Sequence, residues 1–285
     1  MSPMNILSIQ SHVAYGHVGN ASATFAMQRL GHEVWPIHTV QFSNHTGYGS
    51  WKGQVFDSSL IDDCVQGISE RGVLGTCDGV LSGYIGAPAI GDSILNAVRR
   101  VRDANPQATY ACDPVIGDVG RGVFVRPGVP EFFRDRALPL ADLVTPNHFE
   151  LDFLVGRSST SMDQVRTSIA DLHALGPKVA LVTSLIVDGT PDDALDIVAS
   201  DGHKLWRARS QRLPLSINGA GDAIAALFYV HWLTTRSVPE ALSRSVSSIF
   251  GLLKRTAEVG SREILLIAAQ DEIAQPSMTI EAVEV

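Results

Sequence analysis

The alternation of apolar and amphipathic segments constrains the fold of this chain more than any other feature of its sequence. Short runs rich in apolar and β-branched residues are followed by longer stretches with helical periodicity. The alternation runs through residues 6–9, 21–30, 34–42, 58–71, 79–84, 89–104, 108–112, 143–145, 147–155, 163–174 and 179–183. Repeated βαβ units of this kind build a mainly parallel sheet with helices on both faces. The sequence therefore predicts a doubly wound α/β fold.

The pattern changes after residue 184. Two β-like segments, 196–199 and 204–209, flank the Asp201-Gly202 pair, which is typical of a tight hairpin turn and predicts an antiparallel edge. Three further helices are predicted, at 221–235, 239–255 and 263–270. Roughly the last dozen residues are expected to form a less ordered tail. Because no repeat or linker interrupts the chain, residues 1–285 are predicted to form a single domain.

Composition excludes several classes of function. The net charge of −8 argues against general binding to nucleic acid or to an anionic membrane, since both need a basic surface. Three cysteines without a C-x-x-C pair support neither a disulfide framework nor a zinc site. No secretory signal is recognised, and the longest apolar run, 223–233, falls short of the roughly 20 residues that span a bilayer. We therefore expect a cytoplasmic protein.

The stretch Gly219-Ala220-Gly221-Asp222 leads into an apolar helix. It lacks the third glycine of a dinucleotide fingerprint, and no P-loop motif occurs in the chain. Consecutive N–H groups at a helix start can instead bind an anion such as a phosphoryl group. Asp222 would then accept a proton from a hydroxyl that attacks phosphorus. The alternative is that Asp222 only caps the helix.

Two more carboxylates follow predicted strands. Asp113 comes after the 108–112 strand, and Glu150 lies in the first turn of the helix after the 143–145 strand. Ligands of open α/β sheets bind at the carboxyl ends of the strands, where these acids could hold Mg²⁺. The alternatives are a capping box of Asn147 and Glu150 and an Asp113-Pro114 turn. The glycine-bearing loop 117–122 is predicted to fold over a nucleotide.

Two polar stretches are candidates for binding a small aromatic substrate. Ser11 and His12 follow the first strand, and residues 41–49 form a polar, aromatic and glycine-bearing loop after the second. Hydroxyl, imidazole and aromatic groups at the sheet edge can bind a polar ring by hydrogen bonding and stacking. The alternative is that both stretches are ordinary surface loops.

Five motifs, in chain order, resemble those of the pyridoxal kinases of the ribokinase-like superfamily. They are S-I-Q-S-H-V-A-Y-G-H-V-G-N, T-V-Q-F-S-N-H-T-G-Y-G, C-D-P-V-I-G-D, T-P-N-H-F-E and N-G-A-G-D, and the resemblance covers residues 5–253. It implies a ribokinase-like enzyme that uses MgATP to phosphorylate the 5′-hydroxymethyl group of pyridoxal, and often of pyridoxine or pyridoxamine. It also implies a role in vitamin B6 salvage and a homodimer.

The resemblance implies roles for individual residues. Asp222 would be the catalytic base, with Gly219, Ala220 and Gly221 forming the anion hole. The implied substrate contacts are Ser11, His45, Thr46, Gly47 and Tyr84. Asp113 and Glu150 would organise Mg²⁺ and the ATP phosphates. The other implied nucleotide contacts are Thr145, Asn147, Thr183 and Ser184, with residues 209–215 near the adenine.

The chain departs from the family pattern at two positions. Ala220 stands where threonine is common, which removes a hydroxyl but keeps the backbone amide. Thr183 stands where some relatives carry a lysine, so one charged contact to phosphate is either missing or supplied elsewhere. Two alternatives stay open: a hydroxymethylpyrimidine or other small-alcohol kinase of the same fold, and a non-catalytic binder of pyridoxal phosphate.

Overall fold

A computed structural model describes residues 3–285, which contain one ten-stranded sheet and a separate two-stranded hairpin. The strands of the large sheet are β1 (Asn5–Val13), β2 (Glu33–Phe42), β3 (Gly53–Val55), β4 (Gly79–Ser82), β5 (Thr109–Cys112), β8 (Leu143–Val144), β9 (Val179–Leu185), β10 (Ala194–Ser200), β11 (Leu205–Gln211) and β12 (Ala282–Glu284). The hairpin pairs β6 (Gly117–Asp118) with β7 (Gly122–Val123).

The centre of the large sheet is parallel and doubly wound. Its order is β12-β11-β10-β9-β8-β5-β4-β1-β2-β3, and the strands from β2 to β9 in that order run parallel. The chain leaves β1 toward β2 and later returns to the other side of β1 with β4. This reversal creates a switch point, next to which ligands bind in open α/β sheets. The predicted ribokinase-like α/β architecture is confirmed.

Helices cover both faces of the sheet. The helices are α1 (Asn20–Arg29), α2 (Ser58–Glu70), α3 (Pro88–Ala104), α4 (Val129–Phe132), α5 (His148–Val155), α6 (Met162–Ala174), α7 (Ala220–Thr235), α8 (Val238–Val259) and α9 (Asp271–Ala274). One core contains side chains of α1, α7 and α8, and the other contains side chains of α2, α3, α5 and α6. Ile6 and Leu7 point into opposite cores, as neighbouring residues of a strand do. Of the helices in residues 3–285, none is both long and apolar enough to cross a bilayer.

The antiparallel hairpin predicted after residue 184 is present as β10 and β11. Asp196 on β10 is fully buried, and its two carboxylate oxygens accept hydrogen bonds of 2.7 Å from Nε and an Nη of Arg209 on β11. A buried carboxylate depends on such a partner because it has lost its hydration. The ion pair therefore fixes the register of the hairpin.

Two predictions for the end of the chain are wrong. Residues 263–270 form turns rather than a helix, because Ile264 and Leu266 both bury their side chains, a spacing that one face of a helix does not provide. The expected tail includes the strand β12, which pairs antiparallel with β11. Strand β11 would otherwise leave a row of backbone groups without partners.

We expect the buried ion pair to stabilise the fold far more than an exposed pair that joins the hairpin to β12. Replacing Arg209 with alanine leaves Asp196 buried without a cation, so the free energy of unfolding should fall by roughly 3 kcal/mol in urea denaturation. Replacing Lys204, which pairs with Glu284 where both side chains are 55% exposed, should cost less than about 1 kcal/mol. Equal losses for the two variants would contradict this account.

Candidate active site

A cavity of about 560 Å³ lies at the carboxyl ends of the parallel strands. It brings together fourteen of the fifteen predicted site residues: Ser11, His45, Thr46, Tyr84, Asp113, Thr145, Asn147, Glu150, Thr183, Ser184, Gly219, Ala220, Gly221 and Asp222. The exception is Gly47, which is outside the cavity wall and donates its N–H to Nδ1 of His45 at 3.0 Å. Residues 209–215, expected near the adenine, do not line the cavity either, and Ile217 and Asn218 do. The clustering follows from the parallel sheet, which ends all these strands at one edge.

The amino terminus of α7 forms one wall of the cavity. Gly219 is the N-cap residue, and no side chain caps the helix. Its φ of +87° is accessible to glycine without strain, and a Cβ there would overlap the carbonyl oxygen of His17. Asp222 lies in the first helical turn without capping it, so the simple capping alternative is wrong. The N–H groups of Ala220 and Gly221, the first two of α7, therefore remain available to bind an anion.

Three acidic groups share the floor of the cavity. Burial raises the pKa of Asp222, although the N–H groups of Gly19 and Asp222 itself oppose the shift. The pKa of Asp113 is raised well above its ordinary value by burial and by the charges of Glu150 and Asp222. The hydroxyl of Thr145 donates to Asp113 at 2.8 Å and partly offsets that shift. Ionising each further acid at this site therefore costs free energy until a cation binds.

Glu150 joins the start of α5 to the β6–β7 hairpin. It forms the capping box with Asn147, accepting from the Asn147 N–H at 2.9 Å while Asn147 Oδ1 accepts from the Glu150 N–H at 2.9 Å. Its other oxygen accepts from the N–H groups of Ile116 at 2.8 Å and Gly117 at 3.2 Å. Burial raises the pKa of Glu150 to about 7 despite these three bonds. The capping alternative is thus correct, and the same carboxylate still faces the cavity.

The opposite wall of the cavity is suited to a small aromatic ring. The rings of Phe42 and Trp51 are 4.1 Å apart, and both line the cavity beside Tyr84. His45 and Thr46 lie on the same side. Burial and the charge of Arg121 lower the pKa of His45, and Nδ1 of its ring accepts a hydrogen bond from Gly47. The wall therefore combines aromatic surface with hydroxyl and imidazole groups.

Two arginines of the cavity were not identified from the sequence. Residues 117–122, expected as a loop over the nucleotide, are part of the β6–β7 hairpin, whose turn carries Arg121. Its guanidinium lies 4.9 Å from the ring centre of Phe124, and Arg126 follows shortly after. Within residues 3–285, neither arginine is paired with a carboxylate. The sequence did contain a signal for this pair: they are cations that follow Asp113, beside a turn flanked by glycines.

Thr183 and Ser184 lie near the end of β9, next to the start of α5. The Thr183 N–H donates to the carbonyl of Pro146 at 3.0 Å. Ser184 has a φ of +55°, which is uncommon for a residue other than glycine. Strained backbone conformations of this kind occur often at ligand sites. Both residues line the part of the cavity that also contains Asn147.

The acidic groups fit a magnesium ion that arrives with a nucleotide. In the part of the chain that the structure describes, no three His, Cys, Asp or Glu side chains are grouped as a metal cage. Magnesium keeps several waters and is commonly held by one or two carboxylates together with substrate phosphates. Asp113 and Glu150, whose pKa values are raised in this cavity, supply the negative charge that such an ion would compensate.

Comparisons with known proteins identify similar chains of the same length. A family model described as phosphomethylpyrimidine kinase matches residues 80–266. The Pyridoxal kinase PdxY of Granulibacter bethesdensis is 56% identical over 278 residues, which cover 96% of this chain and 97% of that protein. The Pyridoxal kinase PdxY of Rubrobacter xylanophilus is 51% identical over 274 residues, covering 96% of this chain and 94% of that protein.

A solved structure gives the same result for the fold. The pyridoxal kinase from Leishmania donovani in complex with ADP and pyridoxine has a TM-score of 0.91 and 29% sequence identity to this chain. The superposition covers 99% of each chain.

Because the acids of the cavity are buried together, we expect the free energy of unfolding to depend on pH. An acid whose pKa is raised on folding binds its proton more tightly in the folded state, so stability falls as pH rises from the ordinary pKa through the folded one. Without ligands, Asp113→Asn should therefore gain stability relative to the parent protein between pH 4 and pH 8. Urea denaturation at both pH values measures this. The exposed variant Asp192→Asn is the control, and a gain for Asp113→Asn that is the same at both pH values would contradict the prediction.

Proposed function

The chain belongs to the pyridoxal kinase family, whose members phosphorylate pyridoxal with ATP, and we propose that this cavity carries out the transfer to the 5′-hydroxymethyl group. The observation that carries the proposal is that one cavity unites the amino terminus of α7, an aromatic wall and a polar, acidic wall. The aromatic wall suits the pyridine ring, and the wall of Asn147, Thr183 and Ser184 suits the nucleotide. In this proposal the two ligands meet at Asp222, which also lines the cavity.

In this mechanism Asp222 removes the proton of the substrate hydroxyl as the bond from that oxygen to the γ-phosphorus of ATP forms. The bond from the γ-phosphorus to the oxygen it shares with the β-phosphate breaks in the same step, and ADP leaves. A base is most effective when its pKa lies near the working pH, and burial raises the pKa of Asp222 in that direction. The backbone amides at the start of α7 stabilise the charge on the transferring group. Ala220 supplies an amide without a hydroxyl, so the anion hole consists of backbone groups alone.

Asp113 and Glu150 would hold Mg²⁺, directly or through water. Bound Mg²⁺ neutralises charge on the nucleotide phosphates during transfer. The cation that lysine provides in some relatives is replaced, in this proposal, by Arg121 and Arg126, which line the cavity without ion-pair partners among residues 3–285. Closure of the hairpin would bring them toward the phosphates and exclude water.

A hydroxymethylpyrimidine kinase is the second candidate, because the matching family model carries the name phosphomethylpyrimidine kinase. That match begins at residue 80, whereas the acceptor-side residues Ser11, Phe42, His45 and Trp51 precede it. The similarity to two proteins named pyridoxal kinase extends over nearly the whole chain, including the part before residue 80. This supports pyridoxal over hydroxymethylpyrimidine as the acceptor, with pyridoxine and pyridoxamine as further acceptors.

We also propose that residues 1–285 form a single domain of a cytoplasmic homodimer active in vitamin B6 salvage. All described strands except the β6–β7 hairpin share one sheet, which supports the single domain. All three cysteines are free, which fits a reducing compartment. The resemblance to the family supports the homodimer.

The first functional test is acceptor-dependent turnover. ADP formation should depend on pyridoxal and exceed that with hydroxymethylpyrimidine. Asp222→Asn should lower kcat by about 10²-fold or more because the general base is lost, while pyridoxal and ATP still bind. The control is Asp163→Asn, which changes an exposed aspartate in the first turn of α6. Near-normal turnover of Asp222→Asn would remove Asp222 from the base role, and ADP formation without any acceptor preference would contradict the function.

The second test concerns the metal. Glu150→Gln removes the charge proposed to hold Mg²⁺, so the Mg²⁺ concentration for half-maximal activity should rise about tenfold. The matched control is Glu240→Gln, which changes the first-turn glutamate of α8 outside the cavity. An Mg²⁺ titration identical to that of the parent enzyme would remove Glu150 from the metal site.

A further inference from the structure

A carboxylate outside the cavity connects the two loops that carry the acceptor side of the site. We propose that Glu263 is a positioning residue for the pyridoxal subsite, an inference that rests on the proposed function. Glu263 lies in the turns between α8 and α9 and is absent from the cavity wall. It contacts the 14–19 loop, which follows β1, and the 43–52 loop, which follows β2.

The first contact orders the 43–52 loop. The hydroxyl of Tyr48 donates a hydrogen bond to one carboxylate oxygen of Glu263, and this bond raises the pKa of Tyr48 to about 12. The guanidinium of Arg262 lies 5.1 Å from the centre of the Tyr48 ring. Tyr48 ends the same 3₁₀ turn in which Thr46 lies and which His45 caps. Holding Tyr48 therefore orients two residues of the cavity wall.

The second contact orders the 14–19 loop. The other carboxylate oxygen of Glu263 accepts from the N–H of His17 at 3.4 Å. Gly16 has a φ of +91°, and a Cβ at this position would overlap the Glu263 carboxylate. The backbone passes this close to the acid only because residue 16 is glycine.

The 14–19 loop also reaches the proposed catalytic group. The Gly19 N–H stabilises the charged form of Asp222, and the His17 carbonyl packs against Gly219 at the start of α7. The loop is thus held between Glu263 on one side and the anion hole on the other. Displacement of the loop would change where the substrate hydroxyl lies relative to Asp222.

The use of both oxygens distinguishes Glu263 from a packing residue. Each oxygen accepts a hydrogen bond from a different loop. Glu263 takes part in no ion pair with an arginine or lysine among residues 3–285. The charge of Glu263 also acts on a residue of the cavity wall, because it raises the pKa of His45 against the lowering by burial and by Arg121. Glutamine at this position would have one acceptor oxygen and could not receive both bonds with the same geometry.

The test compares the KM for pyridoxal with the KM for ATP. We expect Glu263→Gln and Tyr48→Phe to raise the KM for pyridoxal about tenfold, because each loses a hydrogen bond to a charged group, with the KM for ATP within about twofold. Glu263→Ala should have an effect at least as large, and adding Tyr48→Phe to it should change little, since both remove the same contact. Glu258→Gln is the control, because Arg255 on the surface of α8 is the one ion-pair partner of Glu258 among residues 3–285.

Three outcomes decide the inference. A selective rise in the KM for pyridoxal supports it. An unchanged KM for pyridoxal, or an equal rise for both substrates, overturns it while leaving the proposed function intact. Failure of the parent enzyme to phosphorylate pyridoxal would overturn the proposed function instead. If Glu263→Ala does not fold, as judged by its thermal unfolding, Glu263→Gln and Tyr48→Phe still decide between the first two outcomes.

Discussion

The close approach of Gly219 to the carbonyl of His17 is the contact on which the site depends. It requires a residue without a Cβ, since a Cβ at position 219 would overlap the His17 carbonyl, and one that adopts a positive φ without strain. It brings the start of α7 against the loop that follows β1, at the switch point of the sheet. The amides of α7, the Gly19 N–H and Asp222 then converge on one point. The proposed chemistry follows from this backbone geometry more than from any single side chain.

Around that point the molecule separates two kinds of surface. The aromatic and polar acceptor wall comes from the loops after β1, β2 and β4, and the acidic wall comes from the segments after β5 and β8. Burial raises the pKa of all three acids, and the charges of Glu150 and Asp222 raise that of Asp113 further. We therefore expect the site to bind a cation together with a phosphate group more favourably than it binds either ion alone. Glu150 links this acidic wall to the β6–β7 hairpin through the backbone N–H groups of Ile116 and Gly117.

The features that the sequence predicted correctly are those that local residue patterns determine. Strand and helix order, the antiparallel hairpin and the acids at strand ends could all be read from periodicity and from residues that follow apolar runs. It did not predict the turns at 263–270 or strand β12, where burial depends on distant partners. The same holds for the contact of Tyr48 with Glu263, which are 215 residues apart in the chain. Arg121 and Arg126 belong to none of the motifs recognised in the sequence, and only the fold shows that they line the cavity.

Strand β12 has a consequence for how the protein is made. Residues 282–284 pair with β11, yet during synthesis they leave the ribosome after every other strand of the sheet. Until then β11 offers unpaired backbone groups, which are able to pair with another nascent chain. The exposed Lys204 lies beside that strand, and the partly exposed Arg207 lies on it. Their like charges would keep two unfinished copies apart, so the edge is protected by repulsion first and by hydrogen bonds later.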